Sequence, residues 1–362
     1  MPPRSSSPAA PVPIQITDLA FGGSGVARND GVVWFVPFTI PGEEVSARVM
    51  RRKKRFAEAQ MVKVLIPSPD RVEPGCPYFG RCGGCTYQHI AYPRQVELKA
   101  VQVEQTLRRV GRLAEVPMRD AVASPENYGY RNRIRVHVAD GVVGFYAAGA
   151  HQLIDIERCP IARPEVNDAL TELRSHPVQD GDYVLRVAER GLFFEQTNDG
   201  VARLLLDLVR AAIRPNQKTL IDAYCGAGFF AKGMVDLFPE IIGIEENTHA
   251  VDYARSNAQE HERYLCGSVD DRLGDVLVSH DMAATTLVLD PPAAGLSPRV
   301  ADLLMGTSPA HVLYVSCDPA TMARDLGLLC RSAFRLVSVT PLDMFPQTAE
   351  IEVLAELERV GG

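Results

Sequence analysis

KTLIDAYCGAGFF, residues 218–230, decides the fold. It reads as a short apolar strand, a turn of small residues and the start of a helix. The rhythm then repeats. EIIGIEEN (240–247) is a strand ending in acids, and AVDYARSNAQE (250–260) is a helix. ERYLCG (262–267) and TTLVLDPP (285–292) are strands, followed by the helix PRVADLLMG (298–306), the strand AHVLYVSCDP (310–319) and the helix ATMARDLGLLC (320–330). Strands alternating with helices predict a parallel, doubly wound α/β sheet. FRLVSVTPLDMF (334–345) and AEIEVLAELER (349–359) have no helix between them, so they are expected to pair antiparallel at one edge.

In an open α/β sheet, ligands bind beyond the carboxyl ends of the strands. The residues at those ends are Asp222, Tyr224, Gly226 and Gly228, then Glu245, Asp290 and Cys317. DAYCGAG lets backbone approach a ligand, but it is not a full G-x-G-x-x-G, which weighs against a pyrophosphate. Glu245 is placed to accept hydrogen bonds from both ribose hydroxyls. That favours a nucleoside cofactor such as S-adenosylmethionine over a nicotinamide cofactor, with a simple helix N-terminal charge as the bland alternative. Asp290-Pro291-Pro292 holds a carboxylate and rigid carbonyls where they can bond the amide edge of a nucleobase, or merely ends a strand. Cys317 stands at the lip of its strand with a helix N-terminus directly behind it. That setting predicts a lowered thiol pKa and a nucleophilic role. Cys225, Cys266 and Cys330 lack it and read as packing.

Upstream the composition changes. MPPRSSSPAAPVP, residues 1–13, offers little to bury and reads as a disordered arm without the apolar centre of a secretory signal. Residues 14–70 read as a small β-barrel, with short alternating segments (IQITDLA, VVWFVPF, EVSARVM, AEAQMVKVL) broken by GGSG, NDG and PGE. Barrels of this kind commonly bind RNA. Residues 71–196 read as an α+β central domain. It holds one helix over 93–110, and strands over 130–156 with a hairpin turn at Asp140-Gly141. Residues 197–362 form the α/β domain. Residues 1–100 carry 13 Lys/Arg against 8 Asp/Glu, leaving 25 against 37 for the remainder of a chain whose totals are 38 and 45. The run RRKKR (51–55) therefore sits in the basic part, where phosphate contact and a solvated loop are both plausible readings. No apolar run reaches membrane-spanning length. A soluble, cytoplasmic chain is expected, with a monomer as the default.

Cys76, Cys82 and Cys85 fall within CPYFGRCGGC, and Cys159 is followed by Pro160. In a cytosolic chain clustered thiols point to metal or catalysis rather than disulfides. The spacing alone fits zinc and an iron–sulfur cluster equally.

Eight blocks in order now carry a resemblance over nearly the whole chain: GGSGVARNDGVVWFVPFTIPGEEV, SPDRVEPGCPYFGRCGGCTYQHIAYPRQVELK, FFEQTN, DAYCGAG, GIE, DPPAAGL, VSCDPATMARDL and DMFPQTAEIE. The chain resembles the uracil-C5 RNA methyltransferase family, in particular the branch with an OB-like TRAM barrel and an iron–sulfur cluster that modifies 23S rRNA. The resemblance implies a Rossmann-like class I methyltransferase domain. It implies that Cys317 is the nucleophile and Glu352 the general base. Gln196, Tyr224, Glu245 and Asp290 would line the S-adenosylmethionine and uracil site, and Cys76, Cys82, Cys85 and Cys159 would ligate a [4Fe–4S] cluster with a structural role. The chemistry explains the residue types. Thiolate attack at C6 makes C5 nucleophilic enough to take a methyl, and a carboxylate must then remove the C5 proton. The base must be flipped out of its stack to be reached.

The chain departs from the family pattern at Ala293 (often Arg), at Phe229 (often small and polar) and at Glu350 (often His). Glu350 and Glu352 therefore compete for the base role, and the motif register selects Glu352. The expected substrate is a uridine in structured RNA, ribosomal in the first instance, with transfer RNA as the alternative. Cytosine-C5 methylation is disfavoured because DPPAAG carries no cysteine after its prolines. A non-catalytic RNA-binding protein is disfavoured by intact Cys317, Asp290 and Glu352.

Overall fold

The computed structural model describes residues 10–176, 178–187 and 196–360. Most of the expected N-terminal arm, and the FFE of FFEQTN, lie outside the described residues. The chain forms two compact units: Met1–Gln102 with Glu126–Val187 and Phe345–Ala349, and Val103–Pro125 with Ala188–Met344 and Glu350–Gly362.

The first unit opens with β1 (Val12–Gln15), β2 (Asp18–Leu19), β3 (Ser24–Asn29), β4 (Val32–Pro37), β5 (Glu44–Arg52) and β6 (Phe56–Ile66), in sheet order β1-β5-β6-β4-β3-β2. Period-two alternation sends Ile14, Ala27, Trp34, Val36, Val45, Ala47, Ala57 and Ala59 into one core. The RRKKR cations at the β5–β6 connection are exposed. α1 (Tyr92–Arg109) carries residues of both units, the change falling after Gln102. A second sheet holds β7 (Arg133–Ala139), β8 (Val142–Tyr146), β9 (Leu153–Asp155) and, beyond α2 (Pro164–Ser175), β10 (Gly181–Arg186). Its order is β10-β7-β8-β9, all antiparallel. Asp140 and Gly141 join β7 to β8 with φ of 51° and 76°, the left-handed pair that a two-residue hairpin needs.

The second unit contains α3 (Asp199–Ala212), β11 (Thr219–Ala223), α4 (Phe229–Gly233), β12 (Glu240–Glu245), α5 (Thr248–Ser256) and β13 (Glu262–Cys266). α6 (Val269–Val278), β14 (Thr285–Leu289), α7 (Pro298–Gly306), β15 (His311–Ser316), α8 (Pro319–Leu329), β16 (Phe334–Leu342) and β17 (Glu352–Arg359) complete it. The sheet order is β13-β12-β11-β14-β15-β17-β16. The first five strands are parallel, and β17 runs antiparallel between β15 and β16. β11, β14 and β15 are buried along their whole length, as strands covered by helices on both faces must be. The strand order reverses at β11, so the ligand crevice opens beyond Ala223 and Leu289. Among the described residues, no helix is long and apolar enough to cross a membrane.

α8 is seated by a backbone-to-backbone approach. A Cβ on Gly327 would stand 2.5 Å from the Gly111 carbonyl oxygen, and a Cβ on Gly111 would stand 2.7 Å from that of Ala323. Gly111 thus ends α1 and also admits α8. Gly327→Ala is expected to cost about 1–3 kcal/mol, because the clash is with rigid backbone. Urea denaturation should give a lower midpoint at unchanged slope; an unchanged midpoint contradicts this seating.

Candidate active site

The polar groups of the second unit's crevice come mainly from the ends of β11, β12, β14, β15 and β17. Asp222 is the penultimate residue of β11, and its Oδ2 accepts the Ala231 amide of the short helix α4 at 2.9 Å. Its Oδ1 is buried without a partner, and burial, together with Asp290 and Glu245, pushes the acid up to about 8. The turn that follows needs left-handed backbone at Tyr224 (φ 65°), Gly226 and Gly228. Glu245, at the end of β12, accepts the Gly226 amide at 3.0 Å on Oε2 and the Asn247 amide at 2.8 Å on Oε1. The glycine turn and the proposed ribose acceptor are therefore locked to each other.

Beyond β14, the Asp290 amide donates to the Ala223 carbonyl at 3.4 Å, and Oδ2 accepts Gln196 Nε2 at 3.4 Å. The following loop is tied down by α8. Thr321 Oγ1 donates to the Ala293 carbonyl, and Arg324 Nη2 to the carbonyls of Ala294 and Leu296. Asp325, 1% exposed, accepts the Leu296 amide and the Tyr314 hydroxyl. This support went unnoticed in the sequence; its only local trace is the Arg324-Asp325 pair inside an otherwise apolar helix stripe.

Ser316 pairs with Val353 and Leu342 with Glu352. Continuing the β15–β17 register by one residue sets Cys317 opposite Glu352. Glu352 is 3% exposed, whereas Glu350 is exposed and precedes the strand. The two acids therefore do not share a strand face, contrary to expectation. Burial, with Asp290 close by, drives the Glu352 pKa well above the carboxylate range. Burial also raises Asp290 to about 7. An acid raised in the folded state costs stability as pH climbs from its ordinary value through the raised one, here from about 4 to about 7.

Cys317 corrects a second expectation. The amides at the start of α8 are already taken, because Asp318 Oδ1 accepts Ala320 and Thr321 N–H at 2.7 and 3.0 Å. Asp318 is the N-cap. Instead of being lowered, the thiol is pushed up to about 12 by desolvation and by the Glu352 and Asp290 carboxylates. It is therefore held as a neutral thiol. Gln196, Tyr224, Glu245, Asp290, Cys317 and Glu352 all belong to this one unit.

The remaining candidates lie in the first unit. Cys76, Cys82, Cys85 and Cys159 are free and only partly exposed. Among the described residues no group of three or more His, Cys, Asp or Glu side chains is arranged to hold a metal ion. Burial raises three of the four thiols, with neighbouring cysteines adding to each shift. Cys85 is raised to about 12 by burial, with the other three contributing, and Cys159 is raised to about 11 by burial, with Cys76 and Cys82 contributing. The Gly84 amide donates to Cys82 Sγ at 3.4 Å. Asn167 fixes Cys159 by accepting its amide at 2.7 Å and donating to its carbonyl at 3.0 Å.

Comparison with known proteins agrees with both parts. Residues 11–62 match the TRAM domain, and residues 268–360 match the tRNA (uracil-5-)-methyltransferase family. An uncharacterised RNA methyltransferase of Bdellovibrio bacteriovorus is 32% identical over 96% of this chain and 94% of its own. Another, of Gloeobacter violaceus, is 30% identical over 96% of both. The crystal structure of a Pyrococcus abyssi tRNA (uracil-54, C5)-methyltransferase with S-adenosyl-L-homocysteine superposes with a TM-score of 0.72 and 25% identity, over 98% of this chain and 100% of that one. With a TRAM domain at one end and the methyltransferase sheet at the other, the chain belongs to the family of S-adenosylmethionine-dependent RNA (uracil-C5-)methyltransferases.

Proposed function

We propose that the chain methylates C5 of a specific uridine through a covalent adduct on Cys317. The observation that carries this reading is the register that sets Cys317 opposite buried Glu352, with Asp290 on the neighbouring side. S-adenosylmethionine would lie against the DAYCGAG turn, with Glu245 receiving its ribose and Tyr224 and Asp290 near the reacting groups. A flipped uracil would present its amide edge to Gln196 and Asp290. A carboxyl near 7 can donate as an acid or accept as an anion, which suits a ring whose O4 gains charge during the reaction.

Cys317 loses its proton to a neighbouring carboxylate, and its sulfur forms a bond to C6. The C5=C6 pair moves toward O4, giving an enolate. C5 then attacks the sulfonium methyl; the carbon–carbon bond forms as the methyl–sulfur bond breaks. Glu352 removes the C5 proton, the ring double bond returns and the thiolate leaves. Enclosure of Glu352 raises its basicity toward that task. Cys317→Ala is expected to abolish product. Glu352→Gln is expected to methylate once and then stay bonded to RNA, seen as a methyl-labelled band of raised mass on a denaturing gel. Turnover by Cys317→Ala at the parental rate would refute the assignment. Large-subunit rRNA is the proposed target, supported by the TRAM barrel with its exposed RRKKR cations. Likeness to a tRNA uracil-54 enzyme favours the second reading. Mapping 5-methyluridine with and without the gene decides: a site lost from 23S rRNA supports the first, and one lost from tRNA the second.

Cys76, Cys82, Cys85 and Cys159 are proposed as ligands of a [4Fe–4S] cluster. What supports this is the donor chemistry: four free, partly exposed cysteines, with the Gly84 amide donating to Cys82 Sγ, are thiols of the kind such a cluster takes. Bound iron would keep them as thiolates and remove the cost that raises them as free thiols. Protein isolated without oxygen should carry about four irons with matching sulfide, and Cys85→Ser should lose them. Stoichiometric zinc, or no metal, would overturn this assignment.

A further inference from the structure

The nine residues between β16 and β17 form a connection buried except at Phe345 and Glu350, and its middle is held in an unusual way. Gln347 has a φ of 70°, a left-handed conformation uncommon outside Gly, Asn and Asp. Such a residue persists only where its surroundings over-determine it. Here every polar group of Gln347 is bonded. Its amide donates to Gln95 Oε1 at 3.0 Å, and its carbonyl accepts the Thr86 and Tyr87 amides at 3.1 and 2.9 Å. Its side-chain Oε1 accepts Gln95 Nε2 at 2.9 Å, and its Nε2 donates to the Asn127 carbonyl at 3.2 Å. Gln95 is fully buried and Gln347 is 2% exposed. The flanking carbonyls are held too, Phe345 by Lys99 Nζ and Pro346 by the Tyr130 hydroxyl, each at 3.0 Å.

All these partners belong to the first unit, as do residues Phe345–Ala349 themselves. Three residues beyond Ala349 stands Glu352, the first residue of β17. A strand's first residue has ladder support on one side only, so its side chain depends on how the chain enters. We propose that Gln347 and Gln95 are positioning residues for the base: their reciprocal bonds fix the approach to Glu352 and hold its carboxylate where the C5 proton is removed. Thr86 and Tyr87 directly follow Cys85, so the cysteine loop is bonded to the same carbonyl.

This rests on Glu352 being the base and Cys317 the nucleophile. Gln95→Ala removes the bidentate partner without touching the left-handed residue; Gln347→Gly keeps the conformation and removes the side chain. In single-turnover reactions with methyl-labelled cofactor, both variants should transfer methyl within about twofold of the parent. The lifetime of the methylated RNA adduct should lengthen about tenfold or more, since small misplacements of a reacting group are costly. Hydrogen exchange over residues 343–353 should rise at unchanged iron content. A parallel fall in transfer and release, or an unchanged adduct lifetime, overturns the proposal. Glu352→Gln is the control. If its adduct persists while Gln95→Ala releases like the parent, the positioning role alone fails; if Glu352→Gln gives no Cys317-dependent adduct, the reading beneath it fails.

Discussion

The antiparallel pairing of β17 against β15 is the constraint on which the rest depends. The first five strands make a parallel sheet whose crevice can receive a nucleoside, but that sheet alone supplies no base facing the thiol. Inserting β17 between β15 and β16 brings a glutamate from late in the chain to the residue across from Cys317. Burial then sets the electrostatics. Glu352, Asp290 and Asp222 are all pushed upward, so protons are held among them that the unfolded chain would release. These acids cost stability at neutral pH. The completely buried parallel strands and the tight seating of α8 on Gly111 offset that cost.

Much of this was legible in the sequence because it is local. Alternation of strand and helix, the hairpin at Asp140-Gly141 and the antiparallel final pair follow from residue patterns a few positions long. The carboxyl-end rule then placed Asp222, Glu245, Asp290 and Cys317 on one edge. What was not legible is non-local or depends on competition between neighbours. The β15–β17 register pairs Ser316 with Val353, 37 residues apart, and no local pattern specifies it. The thiol's environment was misjudged because Asp318 outcompetes Cys317 for the helix amides, an ordinary N-cap preference. Glu350 and Glu352 could be ranked by motif but not by face, since the strand starts only at Glu352.

The thiol's raised pKa reshapes the order of events. A thiolate prepared in advance by a helix would be reactive toward any electrophile. A thiol raised to about 12 by desolvation, with the Glu352 and Asp290 carboxylates adding to it, stays neutral until a neighbouring group takes its proton. In the proposed mechanism, carboxylates that disfavour the free thiolate also accept its proton and, later, that of C5.

The most direct measurement is to incubate the protein with S-adenosylmethionine and RNA carrying 5-fluorouridine, then digest and sequence the cross-linked peptide by mass spectrometry. Fluorine at C5 cannot leave as a proton leaves, so the ring should remain bonded to sulfur. The account predicts one methylated fluorouridine attached to the peptide that contains Cys317. Absence of any bonded species, or attachment through a different cysteine, would contradict it.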